Sequence, residues 1–164
     1  MHIATHGFFY QNTIDTTQKG AFSFQNAKNP LVRSGLIMAG ANKAWLGAPT
    51  QEGGEDGILT AYEIANLNLS NTKVVVLSAC ETGLGDVQGS EGVYGLQRAF
   101  KMAGVDYILM SLWKIPDKQT AELMEKFYTF WLKGNSIETA FNLAQQDMRT
   151  RYLPYHWAGF VLMR

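Results

Sequence analysis

The sequence predicts one α/β domain, residues 1–164, built on a parallel sheet, and three observations carry that expectation. Short β-branched runs that are apolar on both alternating faces occur at Lys73 to Ala79 (KVVVLSA) and Val105 to Trp113 (VDYILMSLW), the pattern of strands buried on both sides. Between them Val93, Leu96, Phe100 and Ala103 recur at i, i+3, i+7 and i+10, so one face of a helix is apolar and the unit is strand-helix-strand. The 164 residues carry no repeat and no low-complexity segment, and a chain of that length holds a core of its own.

In chain order, Met1 to Thr5 is a short strand-like piece that runs into a His6-Gly7 turn, and Ala21 to Gln25 and Gly35 to Ala39 look extended. Leu46 to Gly57, with four glycines plus Pro49, Glu52, Glu55 and Asp56, reads as a mobile acidic loop; plain solvated surface is its simplest interpretation. Thr60-Ala61-Tyr62-Glu63 has the form of a capping box opening a short helix. After the strand-helix-strand unit, in which Gly104 stops the helix, Asp117 is expected to cap a helix whose stripe is Leu123, Met124, Phe127, Phe130 and Trp131 and which Gly134 ends. Ser136 caps another, with Ile137, Ala140, Phe141, Ala144 and Met148 on one face. Trp157 to Met163 closes the chain as an apolar strand.

Composition narrows the function classes. Residues are 46% hydrophobic, 12% aromatic and 17% charged, which describes a folded globular chain and not a disordered one. Fourteen Lys+Arg balance fourteen Asp+Glu, so no electrostatic footprint for nucleic acid or an anionic membrane is present. No apolar run reaches the length of a membrane span and Met1 to Thr5 is no signal peptide, so the chain reads as soluble and cytoplasmic. The single cysteine, Cys80, excludes an internal disulfide and a cysteine-built metal cage.

Two segments look unlike scaffold: His2-Ile3-Ala4-Thr5-His6-Gly7, and Leu77-Ser78-Ala79-Cys80-Glu81-Thr82-Gly83-Leu84-Gly85, where a buried strand delivers a thiol into a glycine-rich loop. Loops beyond the carboxyl ends of parallel strands line the binding crevice of open α/β sheets, which puts His6 and Cys80 on one rim. An imidazole and the amino end of the helix that begins around Gly92 would both favour a thiolate there. The bland alternatives are a core cysteine and a structural histidine. His2 and His6 lack the glutamate of HExxH and a helical setting, so zinc is disfavoured, and Gln88 stands where GxGxxG needs its last glycine, which disfavours a phosphate cradle. Ser78 is a rival nucleophile without a GxSxG elbow, pointing the same way as Cys80 but deeper.

His6-Gly7 and Leu77 to Gly83 resemble the catalytic blocks of CHAT domains, caspase-like cysteine peptidases associated with TPR repeats. Asp56 to Ile64 (DGILTAYEI), Glu91 to Phe100 (EGVYGLQRAF), Ser111-Leu112-Trp113 with Asp117, and Trp157-Ala158-Gly159-Phe160 resemble that family in the same order, so the likeness covers nearly the whole chain. The resemblance implies a three-layer caspase-like (caspase-haemoglobinase) α/β fold, with a mostly parallel sheet flanked by helices. It further implies a cysteine endopeptidase in which His6 and Cys80 form the dyad and the backbone N–H groups of Gly7 and Cys80 hold the oxyanion. Ser111 and Trp113 would then belong to the strand along which a peptide substrate pairs, with Trp113 as pocket wall or core indole. Glu81, Asp86 and Glu91 would favour a Lys or Arg before the scissile bond if one reaches the pocket, whereas Trp113 and aliphatics would favour Leu or Met.

No cofactor and no metal are implied. The expected partners are a protein or peptide substrate and a TPR or other regulatory module in the full-length protein, with no nucleic acid and no membrane. Family domains have further elements before the histidine block, so the chain is expected to be the carboxyl-terminal portion of a larger domain, with an exposed sheet edge beside the His6 strand that favours self-association. Two rivals of other classes are a non-catalytic protein-interaction module with the same fold and a small-molecule binder using the glycine-rich loop.

Overall fold

The structure, a computed structural model, describes residues 1–9, 29–46, 56–78 and 90–164. Its elements are β1 (His2–Ile3), β2 (His6–Phe9), β3 (Ser34–Ile37), α1 (Asn42–Trp45), β4 (Ile58–Thr60), α2 (Ala61–Ala65), β5 (Val74–Leu77), α3 (Ser90–Met102), β6 (Tyr107–Ser111), α4 (Asp117–Leu132), α5 (Ile137–Arg149) and β7 (Phe160–Met163). Two 3-10 turns, Pro30–Val32 and Pro154–His156, complete them. Four strands form one sheet in the order β1-β5-β6-β7, parallel except for the antiparallel β7. The architecture is thus mixed α/β with a mostly parallel sheet and flanking helices, compatible with a caspase-like fold.

Every residue of Val74–Leu77 is buried, and the period of a strand divides them between two layers. Val75 and Leu77, with Ile108 and Met110 of β6, pack against Ala61 and Ile64 of α2 and Leu96, Ala99 and Phe100 of α3. Val74 and Val76, with Leu109 of β6 and Phe160 of β7, pack against Leu123, Met124 and Phe127 of α4 and Ile137, Ala140, Phe141, Ala144 and Met148 of α5. The sheet is therefore the middle of three layers.

A second sheet, antiparallel in the order β2-β3-β4, departs from the sequence-based expectation, which has only Gly35 to Ala39 extended in this region. Its strands are 4, 4 and 3 residues long, too short to display a period. Ala21 to Gln25 and most of the loop from Leu46 to Gly57 lie outside the described residues.

Helix ends follow local chemistry with one correction. Thr60 and Glu63 make the full capping box of α2, and the Ser136 hydroxyl accepts from the Thr139 N–H at 3.1 Å at the start of α5. Asp117 is not the cap of α4: Pro116 occupies that position without a side-chain bond, and Asp117 falls in the first turn, where its charge complements the helix dipole. Gly104 (φ +96°) and Gly134 (φ +93°) take the left-handed conformation that ends α3 and α4. Among the described residues no helix is long and apolar enough to cross a membrane.

Candidate functional site

Parallel pairing sets β1, β5 and β6 side by side with their carboxyl ends at the same end of the sheet. Ile3 is in register with Leu77, and Leu77 with Met110, so the three form one row across the sheet. In sequence, His6, Cys80 and Trp113 each follow that row by three residues. Adjacent strands are about 4.8 Å apart, so the three threads leave the row as close neighbours.

The first thread turns earlier than expected. The chain bends at Thr5, and His6-Gly7 is not a turn but the opening of β2, with His6 opposite Ile37 and Gly7 opposite Leu36 in the second sheet. The Thr5 hydroxyl donates to the Ile37 carbonyl and fastens this corner. His6 thus sits where the chain passes from the parallel sheet to the antiparallel one, and its side chain is exposed.

The second thread is described as far as Ser78, whose N–H donates to the Ile3 carbonyl at 3.1 Å. Cys80, Glu81 and Asp86 lie outside the described residues, as do the glycines Gly83 and Gly85 and the side chain of Glu91. The Ser78 hydroxyl is hydrogen-bonded to His2 Nε2 at 3.1 Å, and His2 Nδ1 to the Tyr128 hydroxyl of α4 at 3.1 Å. Desolvation, and secondarily the neighbouring terminal ammonium, holds the His2 pKa below its usual value of 6.5, so the ring is neutral at neutral pH. Burial pushes the Tyr128 hydroxyl up, which keeps it protonated. Sequence reasoning weighed His2 only as half of a metal pair and Ser78 only as a nucleophile. Their contact needs the β1–β5 register, and Tyr128 comes from a helix far along the chain, so composition and spacing carry no signal for it.

The third thread is held from its outer side. Ser111 is buried at the end of β6 opposite Phe160, and the Leu112 N–H donates to the Gly159 carbonyl at 2.7 Å. Trp113 is half-buried; its indole N–H donates to the Tyr155 carbonyl at 3.0 Å and its ring stacks on Tyr155, with centroids 6.3 Å apart. The Tyr155 hydroxyl returns a bond to the Lys114 carbonyl at 2.7 Å. The β7 side of Ser111-Leu112 is therefore occupied by Phe160 and Gly159. Among the described residues no cluster of three or more His, Cys, Asp or Glu side chains is arranged to hold a metal ion.

Comparison with known proteins shows the family. The sequence is 33% identical over 109 residues to tetratricopeptide repeat protein 28 of Mus musculus and of Homo sapiens. Each alignment covers 65% of this chain and 4% of the relative, so the chain spans only a small part of their length. The sequence profile of the CHAT domain matches residues 1–164, the whole chain, and the protein belongs to the CHAT domain family.

Proposed function

We propose that the chain is a cysteine endopeptidase domain that hydrolyses a peptide bond of a protein substrate through a Cys80/His6 dyad. The observation that supports this most is the row Ile3-Leu77-Met110 across adjacent parallel strands, which His6, Cys80 and Trp113 each follow by three residues in sequence. Cys80 follows Ser78 by two residues, at most about 7 Å between Cα atoms, which supports a place for the thiol on the same rim as His6. The family's caspase-like peptidases supply the chemistry.

In this mechanism the substrate pairs as an added strand along Ser111 to Trp113, so that backbone bonds bind it and pockets select its side chains. The Cys80 thiolate attacks the scissile carbonyl carbon, and the oxyanion that forms is held by the backbone N–H groups of Gly7 and Cys80. Protonated His6 gives its proton to the leaving amine as the C–N bond breaks, leaving a thioester. Neutral His6 then takes a proton from water, which attacks the thioester carbonyl and releases the carboxylic acid and the thiol. A glycine after His6 lets its N–H approach the substrate oxygen without a side chain in the way. Glu81 and Asp86 from the Cys80 loop, and Trp113, determine the residue accepted before the scissile bond. The matched relatives are named for tetratricopeptide repeats, which supports attachment of such repeats, as a regulatory module, to this domain in its full-length setting.

The test is cleavage of a proteome-derived peptide library, read by mass spectrometry, with wild type, Cys80→Ala and His6→Ala. Wild type should generate new amino termini with a common preference, and each substitution should lower the rate at least about 1,000-fold with melting temperature unchanged. Cleavage that survives in Cys80→Ala would sink the mechanism.

A further inference from the structure

Backbone bonds between β1 and β5 join the histidine thread to the cysteine thread. Along β1 the Val76 N–H donates to the Met1 carbonyl at 2.9 Å and the Ser78 N–H to the Ile3 carbonyl at 3.1 Å. A side-chain link also joins the threads: the His2–Ser78 bond at 3.1 Å. His2 lies four residues before His6 and Ser78 two residues before Cys80. We propose that His2, held by Tyr128, is a positioning residue of the peptidase site: its bond to Ser78 is a diagonal brace that ties the histidine thread to the cysteine thread where β5 ends. This inference rests on the dyad proposed above.

The brace is built as positioning groups are. Both ring nitrogens of His2 are engaged, one by Ser78 and one by Tyr128, which fixes ring orientation as well as position. Tyr128 is anchored in turn, since α4 is seated in the core by the fully buried Phe127 and the Tyr128 ring packs on Phe127 and Trp131 at 5.1 and 6.3 Å between centroids. The anchoring matters because β1 is the edge strand of its sheet, flanked by an open groove of about 500 Å³ lined by Met1, Ile3, Met38, Leu59, Leu67 and Phe100 among others, and no further described strand holds it from that side. A strand that leads to half of a dyad benefits from such a tie, because a displacement of about 1 Å between reacting groups costs on the order of 100-fold in rate. A neutral imidazole suits the task, as one nitrogen donates and the other accepts.

The experiment measures the rate at which iodoacetamide alkylates Cys80 from pH 4 to 9, with the melting temperature of each variant, for wild type, His6→Ala, His2→Ala, His2→Gln, Ser78→Ala and Tyr128→Phe. Wild type should titrate well below the ordinary thiol value of about 8.5, and His6→Ala should abolish that depression. His2→Ala and Ser78→Ala should raise the apparent thiol pKa by at least about one unit, which is about a 10-fold slower alkylation at a pH below both values. His2→Gln, whose amide extends to where Nε2 stands, should recover most of the wild-type rate, and Tyr128→Phe should fall between. A lower melting temperature with an unmoved thiol pKa in His2→Ala and Tyr128→Phe overturns the positioning role, because a merely structural brace has that signature. A wild-type thiol that titrates at its ordinary value and ignores His6→Ala overturns the dyad and this inference together. Peptide hydrolysis that survives Cys80→Ala and disappears in Ser78→Ala would identify the Ser78–His2 pair as catalytic and overturn it as well.

Discussion

Gly159 lies flat against the indole of Trp113: a Cβ built on it would fall 2.6 Å from Cε2 and 2.8 Å from Nε1 of that ring, and 2.9 Å from Cδ1 of Ile115. The ring has little freedom to yield, because its N–H is committed to the Tyr155 carbonyl at 3.0 Å and Ile115 is fully buried. Gly159→Ala should therefore cost about 1–3 kcal/mol as an overpacking change and lower the melting temperature by several degrees, on the order of 2–4 °C per kcal/mol for a chain this long. A variant with wild-type stability in a urea titration would show that the strand end and the indole are less tightly fitted than their separation indicates.

Gly95 and Ser34 make a second close pair, between α3 and β3. A Cβ on Gly95 would stand 2.7 Å from the Ser34 Oγ but 3.6 Å from its Cβ, so only the hydroxyl is in the way. Ser34 is fully buried and, among the described residues, its Oγ has no hydrogen-bond partner. Ser34→Ala should then be neutral or stabilising, since it removes a buried polar atom that gains nothing. Gly95→Ala alone should destabilise despite about 1 kcal/mol of improved helix propensity, and the double variant should recover that propensity. A double-mutant cycle should give a coupling of about 1–2 kcal/mol; strict additivity would refute the contact.

The central layer was legible in the sequence because its residues carry a strong signal. Val74 to Leu77 and Tyr107 to Ser111 are buried on both faces, and a continuous apolar run says so. The stripes of α4 and α5 face the sheet at the expected positions Leu123, Met124, Phe127, Ile137, Ala140, Phe141, Ala144 and Met148. The small antiparallel sheet was not legible, because strands of 3 or 4 residues with a glycine at Gly7 and Gly35 give periodicity nothing to act on. The corner at Thr5 was misplaced by the same weakness, since His6-Gly7 has the composition of a turn and is held as a strand only by its pairing with Leu36 and Ile37. Of the candidate site, the sequence named the threads and the family motif, whereas the His2-Ser78-Tyr128 chain depends on register and on a helix 126 residues away from His2.

The capping box of α2 carries a third prediction. Glu63 Oε2 accepts from the Thr60 N–H at 2.8 Å and from the Thr60 hydroxyl at 2.7 Å, while that hydroxyl oxygen accepts from the Glu63 N–H at 3.2 Å. α2 has five residues and cannot persist on propensity alone, so its start is held by this cap and by the burial of Ala61 and Ile64. Thr60→Ala should cost about 1–2 kcal/mol in a urea titration, and Thr60→Ser, which keeps the hydroxyl, much less. Equal losses in the two variants would assign the effect to the buried methyl group instead of the cap.

The last prediction concerns acid. On the outer face of α4 and α5, Glu122 accepts from the Tyr152 hydroxyl at 2.8 Å and pairs with Arg151, and Asp147 pairs with Lys126 at 2.7 Å and Arg151 at 2.6 Å. The Tyr152 bond and then Arg151 hold the Glu122 carboxyl below its usual 4.5, and Lys126 and then Arg151 hold Asp147 below its usual 3.8. A carboxyl whose folded pKa is depressed stabilises the fold fully above its unfolded value and loses that contribution as pH falls through the folded value. The melting temperature should thus be nearly flat from pH 8 to 6 and fall below about pH 5, with part of that fall due to this network. Asp147→Asn and Glu122→Gln should each melt lower than wild type at pH 7 and converge with it by about pH 2, where the wild-type carboxyls are also protonated. Because the groups face solvent, 1 M NaCl, with a screening length of about 3 Å, should shrink the pH 7 difference. Parallel melting curves for wild type and variants across the whole acid range would show that these pairs form without contributing to the fold.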